Sequence, residues 1–285
     1  MSKRTKGEKI FSVFNTFLLG MVCVFTLYPI YHVLMASFSS SSGILSHSGL
    51  FLKPVGFSVS AYQVILNNKN IWTGYGNTIF IVVVGTCLSL LVSSMAAYSL
   101  SRQCFKARTF FMLAITFTMI FSGGLIPLFL VVKGVGLYDS IWSLILPVLI
   151  NTNNLIIMRT SFAQIPISLE ESAKIDGAND IIIYSRIVLP LSKATIAVIC
   201  LYYGVAYWNS WFSASIYLRK RKLFPLQLIL REILIANDNS TSDSELMSES
   251  IKYAAIIVST VPILCVYPFL QKYFVKGVMI GAVKG

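Results

Sequence analysis

Long apolar runs dominate the chain and predict α-helices that cross a membrane. A helix needs about 20 apolar residues to span the hydrocarbon core, and six runs of roughly that length occur along the 285 residues. No Asp, Glu, Lys or Arg lies at the centre of any run, so the pattern indicates an all-α polytopic membrane protein in which residues 1–285 form one transmembrane domain. The predicted spans are 11–36, 77–100, 110–131, 141–158, 194–217 and 252–271.

Composition strengthens this interpretation. Hydrophobic residues make up 56% of the chain and charged residues only 12%, about half the charge of an average soluble domain. The net charge of +12 would suggest a nucleic-acid partner in a soluble protein. In a membrane protein, basic residues collect in cytoplasmic loops that face anionic lipid. Because no basic stripe alternates with aromatic residues, we expect contact with membrane lipid and no nucleic-acid partner.

The distribution of Lys and Arg predicts the orientation. With the N-terminus in the cytoplasm, 14 of the 23 basic residues fall in cytoplasmic segments, as the positive-inside rule requires. Both termini are therefore predicted to be cytoplasmic, and the basic cluster at 219–222 is a local exception in an external loop. Another external loop, 38–76, reads as a Ser-rich linker with some local structure. Residues 225–236 have the apolar spacing of an amphipathic helix lying along a surface.

The sequence lacks the residues that other energy sources require. A carrier driven by H⁺ normally needs buried carboxylates, whereas Na⁺ coordination through carbonyls and hydroxyls is less firmly excluded. No phosphate-binding GxxxxGK[ST] loop, metal-ligand spacing or nucleophile elbow is present, and the five cysteines form no CxxC pair. We therefore expect a protein that is not an enzyme, with no catalytic residue, metal site or cofactor of its own.

The predicted cytoplasmic loop 166–190 carries the most information. Ser168 and Glu171 have the spacing of a capping box, which predicts a helix beginning at Leu169, and Glu170 is placed to pair with Lys174 one turn later. The glycine at 177 is suited to end this helix. A second helix is predicted from about 179 to 189, where the proline at 190 should break it.

This loop resembles the EAA motif of ABC-importer permeases. The resemblance implies the type I importer permease fold with six spans and a cytoplasmic coupling helix that docks into a groove of an ATPase subunit. ATP and Mg would be bound by that partner. Ser172 replaces the usual alanine, and Ala194 stands near a frequent proline, which leaves the start of span five less rigid. The implied coupling residues are Glu170, Glu171, Ser172, Ala173, Asp176, Gly177, Ala178 and Pro190.

Further segments resemble the carbohydrate branch of these permeases. They include Phe121–Pro127, Gly136–Trp142, Tyr207–Phe212 and the tail Gly281–Gly285, and they are most similar to permeases of polysaccharide and oligosaccharide lipoprotein-dependent systems. The resemblance implies a bacterial plasma-membrane importer of oligosaccharides or polysaccharide fragments that works by alternating access. It also implies a second, unlike permease, two copies of an ABC ATPase and an extracellular solute-binding lipoprotein.

Aromatic and polar residues in the spans are candidates for a substrate path. Aromatic rings with a few hydrogen-bonding groups suit the apolar faces and hydroxyls of sugars, but the same rings could serve helix packing or an interfacial aromatic belt. Glycines followed by a proline in span three predict a kinked or unwound region. The candidates are Tyr203, Tyr207, Trp208, Asn209 and Trp211 in span five, Asn151 and Asn154 in span four, and Gly123 and Gly124 in span three.

Three alternatives remain open from the sequence. The chain could be an ABC importer permease for a non-sugar solute, although the absence of intramembrane charge disfavours charged substrates. It could be a membrane sensor or scaffold that docks an ATPase without transporting anything. It could also be a secondary carrier, which uptake without ATPase subunits would reveal.

Overall fold

The structure is a computed structural model that describes residues 5–238 and 249–265, and within those ranges it is helical with no strand. Contacts divide the chain into two compact units. Of the described residues, the first unit contains 5–69, 232–238 and 249–262, and the second contains 70–231 and 263–265. The α-helices are α1 (Lys6–Ser37), α2 (Ser41–Ser46), α3 (Ser60–Asn67), α4 (Lys69–Ser101), α5 (Arg108–Ile120), α6 (Leu125–Gly134), α7 (Thr152–Ala163), α8 (Ile167–Ile175), α9 (Asp180–Ile183), α10 (Leu189–Leu191), α11 (Lys193–Trp208), α12 (Trp211–Tyr217), α13 (Leu226–Asp238) and α14 (residues 249–265).

Two helices, α1 and α4, are each long and apolar enough to cross a membrane. The first starts earlier than the predicted residue 11 because its N-terminus is capped. The Thr5 hydroxyl accepts a hydrogen bond from the Glu8 amide, while the Glu8 carboxylate accepts one from the Thr5 amide at 2.8 Å. This reciprocal capping box satisfies two amides that would otherwise lack partners.

The second long helix, α4, begins at Lys69 and not at the predicted residue 77. Its additional turns pack against α13. A Cβ atom added to Gly74 would lie 2.6 Å from the Ile229 side chain and 3.1 Å from the Leu226 backbone, so the two helices approach closely at this glycine. The linker predicted at 38–76 is therefore partly helical, with α2 and α3 preceding α4.

Two of the other predicted spans are bent. The axes of α5 and α6 differ by 117°, and those of the 3₁₀ segment 141–148 and α7 by 47°. A third bent pair joins the helical stretch 180–191, which lies mainly in the predicted cytoplasmic loop, to α11 at 83°, and the predicted span 194–217 is itself divided into α11 and α12. By length and composition alone, the described residues hold two candidate spans, or five if each bent pair counts as one. Of the predicted span 252–271, the part up to residue 265 is helical and the remainder lies outside the described residues.

In the first unit, polar contacts tie the end of α1 to the segment that follows it. The Tyr31 hydroxyl donates to the Leu52 carbonyl at 2.7 Å, and the hydroxyls of Ser37 and Tyr62 are 2.7 Å apart. His32 packs edge-on against the buried Phe51 ring, with 5.0 Å between ring centroids. The His32 ring of α1 is thus held in an aromatic contact within this unit.

The second unit contains a contiguous apolar core that joins α4, α7 and α11 with the segments around them. Fully buried members of the core come from each of these elements. One side of α4 is lined with small residues that allow the neighbouring helices to approach, as is common where helices pack within membranes. Core residues include Ile81, Ala97, Leu144, Met158, Phe162 and Ile199.

Candidate functional site

The first helix of the loop 166–190 is α8, which starts at Ile167. The capping box predicted at Ser168 and Glu171 is wrong, because no side chain caps this helix and Pro166 occupies the cap position. Pro166 has φ −57° and ψ 131°, and the helix begins at the next residue. Ser168 consequently lies inside the first turn.

The end of α8 matches the prediction. Gly177 adopts φ +79°, its amide donates to the Lys174 carbonyl at 3.0 Å, and the Ala178 amide reaches the Ala173 carbonyl at 2.9 Å. These two bonds form a Schellman motif, which favours glycine at the left-handed position. Asn179 then caps α9 by accepting a hydrogen bond from the Ile182 amide at 2.9 Å.

The second helical stretch continues beyond the proline that was predicted to end it. It runs from α9 through a π-helix at Tyr184–Val188 into α10, and the break before α11 lies at Ser192. Pro190 lies just after the π-helical segment, two residues before the break. The prediction that Pro190 breaks this helix is therefore wrong.

Arg102, which follows α4 directly, anchors the loop to the core. Its guanidinium forms an ion pair with the carboxylate of Glu170 on α8, and both side chains are nearly buried. It also donates to the Phe162 carbonyl at 3.1 Å and lies over the Tyr98 ring, 4.8 Å from the centroid. Burial lowers the pKa of Arg102, but a guanidinium remains charged at physiological pH.

This contact replaces the ion pair predicted within α8. Glu170 turns toward Arg102 and not toward Lys174, whose ammonium pairs instead with the Asp180 carboxylate at 3.5 Å on the exposed side of the loop. The prediction of a Glu170–Lys174 pair is wrong because a buried partner from another helix provides a stronger contact than a solvated neighbour one turn away.

The second stretch of the loop also contacts α4. The Tyr184 hydroxyl lies 2.6 Å from the Ser94 hydroxyl, and its ring packs against Tyr98 with 5.5 Å between centroids. Both arms of the loop are thus attached to the last turns of α4.

The remaining predicted coupling residues are distributed between surface and interior. Glu171, Ser172, Asp176, Gly177 and Pro190 are exposed, whereas Ala173 and Ala178 are half-buried and Glu170 is only 5% exposed. Beside this polar group, Ile175 is 86% exposed. An apolar side chain flanked by a carboxylate and a tight glycine turn makes a surface suited to contact with another protein.

Two of the predicted path residues in α11 have the contacts of packing residues. Tyr203 and Tyr207 are each 3% exposed, and their hydroxyls lie 2.7 Å and 2.8 Å from the hydroxyls of Ser93 and Ser89 on α4. Gly85 makes room for this arrangement, since an added Cβ would lie 2.8 Å from the Tyr207 ring. These pairs hold α4 against α11.

The other path residues of span five lie around a break in the helix. Between α11 and α12, the Asn209 side chain donates to the Val205 carbonyl at 2.9 Å. Trp208 is buried, and its indole N–H has no hydrogen-bond partner among the described residues. Trp211 is half-buried under the Arg231 guanidinium, 3.4 Å from the ring centroid. Their role in a path stays a prediction.

The candidates in spans three and four are also at helix ends. Asn151 caps α7 by accepting from the Asn154 amide at 3.2 Å, and the Asn151 amide donates to the Tyr203 hydroxyl at 3.0 Å. Gly123 and Gly124 are exposed at the sharp bend between α5 and α6, where Gly124 has φ +84°. The predicted break in span three is confirmed.

Sequence analysis missed Asp139 as the partner of the basic cluster 219–222. One carboxylate oxygen of Asp139 accepts from the amides of Arg219 and Lys220 at 3.0 Å, and the other lies 2.9 Å from the Lys220 ammonium. These hydrogen bonds lower the pKa of Asp139 to about 2. In the structure Asp139 has a φ of +58°, a conformation that aspartate tolerates better than most residues.

Comparison with known proteins gives a consistent result. Residues 89–280 match the family described as binding-protein-dependent transport system inner membrane component. The chain is 44% identical to the polygalacturonan/rhamnogalacturonan transport system permease protein YtcP of Bacillus subtilis (strain 168), over 96% of this chain and 99% of that protein. It is 42% identical to Protein LplC of the same organism, over 99% and 97% of the two chains.

A solved structure is similar over almost the whole chain. The crystal structure of a bacterial ABC transporter involved in the import of the acidic polysaccharide alginate aligns with a TM-score of 0.87 and 35% identity, and it covers 96% of this chain and 100% of that one. The chain therefore belongs to the family of inner membrane components of binding-protein-dependent transport systems and has the fold of an ABC-importer permease.

Proposed function

We propose that this protein is the permease subunit of an ATP-driven importer of oligosaccharides or polysaccharide fragments. In this proposal the chain forms six spans with both termini in the cytoplasm and assembles with an unlike permease, two ATPase copies and an extracellular solute-binding lipoprotein. ATP and Mg are bound by the ATPases, and the chain itself has no ATPase site.

The exposed end of α8 carries the proposal. Glu171, Ile175 and the Gly177 turn lie together on the surface, whereas Glu170 fixes the same helix to Arg102. A short helix can bind another subunit with its exposed side while its other side is anchored to the spans. A movement of the docked subunit is then transmitted to the spans. We therefore propose that an ATPase subunit docks at the exposed side of α8.

The substrate class is supported by the relatives. YtcP is named for polygalacturonan and rhamnogalacturonan transport, and the structurally similar transporter imports alginate. A further relative, 30% identical over 96% of this chain and 95% of its own length, is the galactooligosaccharides transport system permease protein GanQ of Bacillus subtilis (strain 168). We therefore propose that this chain also transports a saccharide. Because the structurally similar transporter carries an acidic polysaccharide, the absence of charged residues at the centres of the predicted spans does not argue against a charged sugar.

The transport cycle follows from alternating access. ATP binding closes the two ATPases, the docked α8 moves with them, and the attached helices α4, α7 and α11 reopen the path toward the binding protein. Hydrolysis returns the spans to the inward-facing state and releases the saccharide into the cytoplasm.

The test uses the full complex in nanodiscs with a binding protein loaded with galacturonan oligosaccharides or, separately, arabino-oligosaccharides. We expect a loaded sugar to stimulate ATP hydrolysis, and we expect Glu171→Ala and Gly177→Asp to abolish that stimulation. Aspartate tolerates the left-handed backbone better than most residues, so Gly177→Asp should act mainly by placing a charged side chain at the docking turn.

Gly136→Asp is the matched control. Gly136 has φ +76°, close to the +79° of Gly177, and open space surrounds both residues. The backbone strain is therefore similar, but the position is outside the loop, and stimulation should survive. If the two loop variants behave like the wild type, the docking surface is wrong. If only a non-sugar ligand stimulates, the substrate class is wrong, and uptake without ATPases would indicate a secondary carrier.

A further inference from the structure

The two adjacent glutamates of α8 have different surroundings. Glu171 is exposed, whereas Glu170 is 5% exposed and forms an ion pair with Arg102. A carboxylate engaged in this way inside the chain is not available to a basic residue of a docked partner. Glu170 and Glu171 must therefore have different roles.

Arg102 joins three segments at one point. Its guanidinium contacts α8 through Glu170, the end of α7 through the Phe162 carbonyl at 3.1 Å, and α4 through the Tyr98 ring. In addition, the Arg159 side chain donates to the Leu100 carbonyl at 3.4 Å, which is a second bond between α7 and the end of α4. In sequence α8 follows α7 directly, whereas these contacts connect it to α4, which is distant along the chain.

The same helix α4 carries the row of hydroxyls that binds α11. Ser89 and Ser93 pair with Tyr207 and Tyr203, and Ser94 pairs with Tyr184 in the second arm of the loop. A displacement of the Arg102 end of α4 is thus transmitted along a buried, hydrogen-bonded contact between helices. A discrete network of this kind can carry coupling between two sites.

We propose that Arg102 and Glu170 are positioning residues that transmit the movement of the coupling helix to α4, whereas Glu171 serves the contact with the ATPase. This inference rests on the proposed function, because it assigns the internal step between docking and the spans. Loss of the ion pair should leave docking and ATP hydrolysis in place and uncouple them from the spans.

The main variant is the double replacement Arg102→Gln/Glu170→Gln. It removes the ion pair without leaving a buried charge unpaired, so it should fold even where a single replacement does not. Asp180→Asn is the matched control, because it removes an acidic charge from an exposed ion pair of the same loop. Arg102→Glu/Glu170→Arg restores a pair with the charges exchanged.

In nanodiscs and proteoliposomes we expect the double glutamine variant to retain the ATPases and to hydrolyse ATP, while oligogalacturonide uptake per ATP falls at least about twofold, the smallest effect expected when residues of a coupling network are replaced. Asp180→Asn should behave like the wild type, and the charge exchange should recover part of the coupling. If the double variant loses its ATPases, as expected for a docking residue, or transports normally, the proposal is overturned.

A second readout does not depend on the substrate. Spin labels at Met95 on α4 and Lys174 on α8, introduced after replacement of the five native cysteines, report the distance between the two helices. We expect one narrow distance in the wild type with and without ATP and vanadate, and a broadened distribution in the double glutamine variant. An unchanged distribution would overturn the inference, whereas a wild-type complex that imports no saccharide would overturn only the proposed substrate class.

Discussion

The two ends of α4 are held by different kinds of interaction. At the carboxyl-terminal end, the charged Arg102 binds the loop through Glu170 and a backbone carbonyl. At the amino-terminal end, Gly74 allows α13 to approach closely, and the Asn77 amide donates to the carbonyls of Lys222 and Phe224 at 2.8 and 3.1 Å. Charge anchors one end, and close packing with neutral hydrogen bonds anchors the other.

The difference indicates how each end responds to change. A buried ion pair is strongly destabilised when one partner is lost, yet both partners can be replaced together at small cost. Close packing at a glycine has no such compensation, because any side chain introduced there must displace its neighbour. The charged end can therefore be dissected by a double-mutant cycle, and the packed end by a steric series.

The largest expected effect is at the charged end. Arg102→Gln alone should lower the stability of the protein by about 3–5 kcal/mol, since it leaves the Glu170 carboxylate buried without its partner. Arg102→Gln/Glu170→Gln should be clearly less destabilised. Thermal unfolding of the purified complex, followed for the wild type, both single variants and the double variant, gives the coupling energy. Additive single effects would show that the two side chains do not depend on each other.

A smaller effect is expected at the packed end. Gly74→Ala should destabilise by about 1–3 kcal/mol, because the added methyl group meets the Leu226 backbone, which cannot easily move. Gly76→Ala is the control: nothing lies within 4 Å of its added Cβ, and alanine favours the helix by about 1 kcal/mol. Hydrogen exchange at the amides of α13 should accelerate only in the first variant. If the amides of α13 exchange at the same rate in both variants, close packing at Gly74 does not anchor this end of α4.

The smallest effect should come from Asp139, which holds the segment that leads to α13. Its lowered pKa of about 2 means that the ionised carboxylate stabilises the fold above the unfolded-state pKa near 3.9, and that this stabilisation is lost as the pH falls toward 2. Asp139→Asn tolerates the same backbone conformation without the charge. The difference in melting temperature between wild type and variant should be constant above about pH 4 and shrink below it. A difference that persists at pH 2 would contradict the assignment.

Local signals explain why much of α8 could be predicted. Gly177 and Asn179 act through bonds to residues a few positions away, so their roles can be deduced from the sequence by itself. The start of the helix was misjudged because Pro166 and the Ser168 capping box were competing local solutions, and proline prevailed. The family resemblance was equally accessible, because the motif is contiguous.

The partner of Glu170 could not be deduced in the same way. Helical spacing identifies Lys174 as a neighbour, but nothing in the sequence places Arg102 beside α8 until both arms of the loop fold against α4. The early start of α4 left a weak signal, since Ile71, Gly74 and Thr78 form a buried stripe at helical spacing. Hydropathy did not indicate the start of α4 at Lys69, because polar residues surround this stripe in the sequence. The stripe itself packs against protein.

The contacts of the aromatic residues in α11 differ along its length. Tyr203 and Tyr207 use their hydroxyls on α4, whereas Trp208 keeps a buried N–H without a partner among the described residues. Periodicity groups these residues on or near one face but does not reveal which helix faces them. Only the packed structure separates the rings that join helices from those that remain candidates for a path.

The π-helix at Tyr184–Val188 has a consequence for how the loop is encoded. A π turn accommodates one residue more than an α turn, and each residue of an α-helix advances the side chains by about 100° around the axis. Tyr184 opens this turn and points its hydroxyl at Ser94. A chain one residue shorter here would keep nearly the same composition yet rotate a different side chain toward α4. The fit of the loop against α4 thus depends on the number of residues in this segment as much as on their identity.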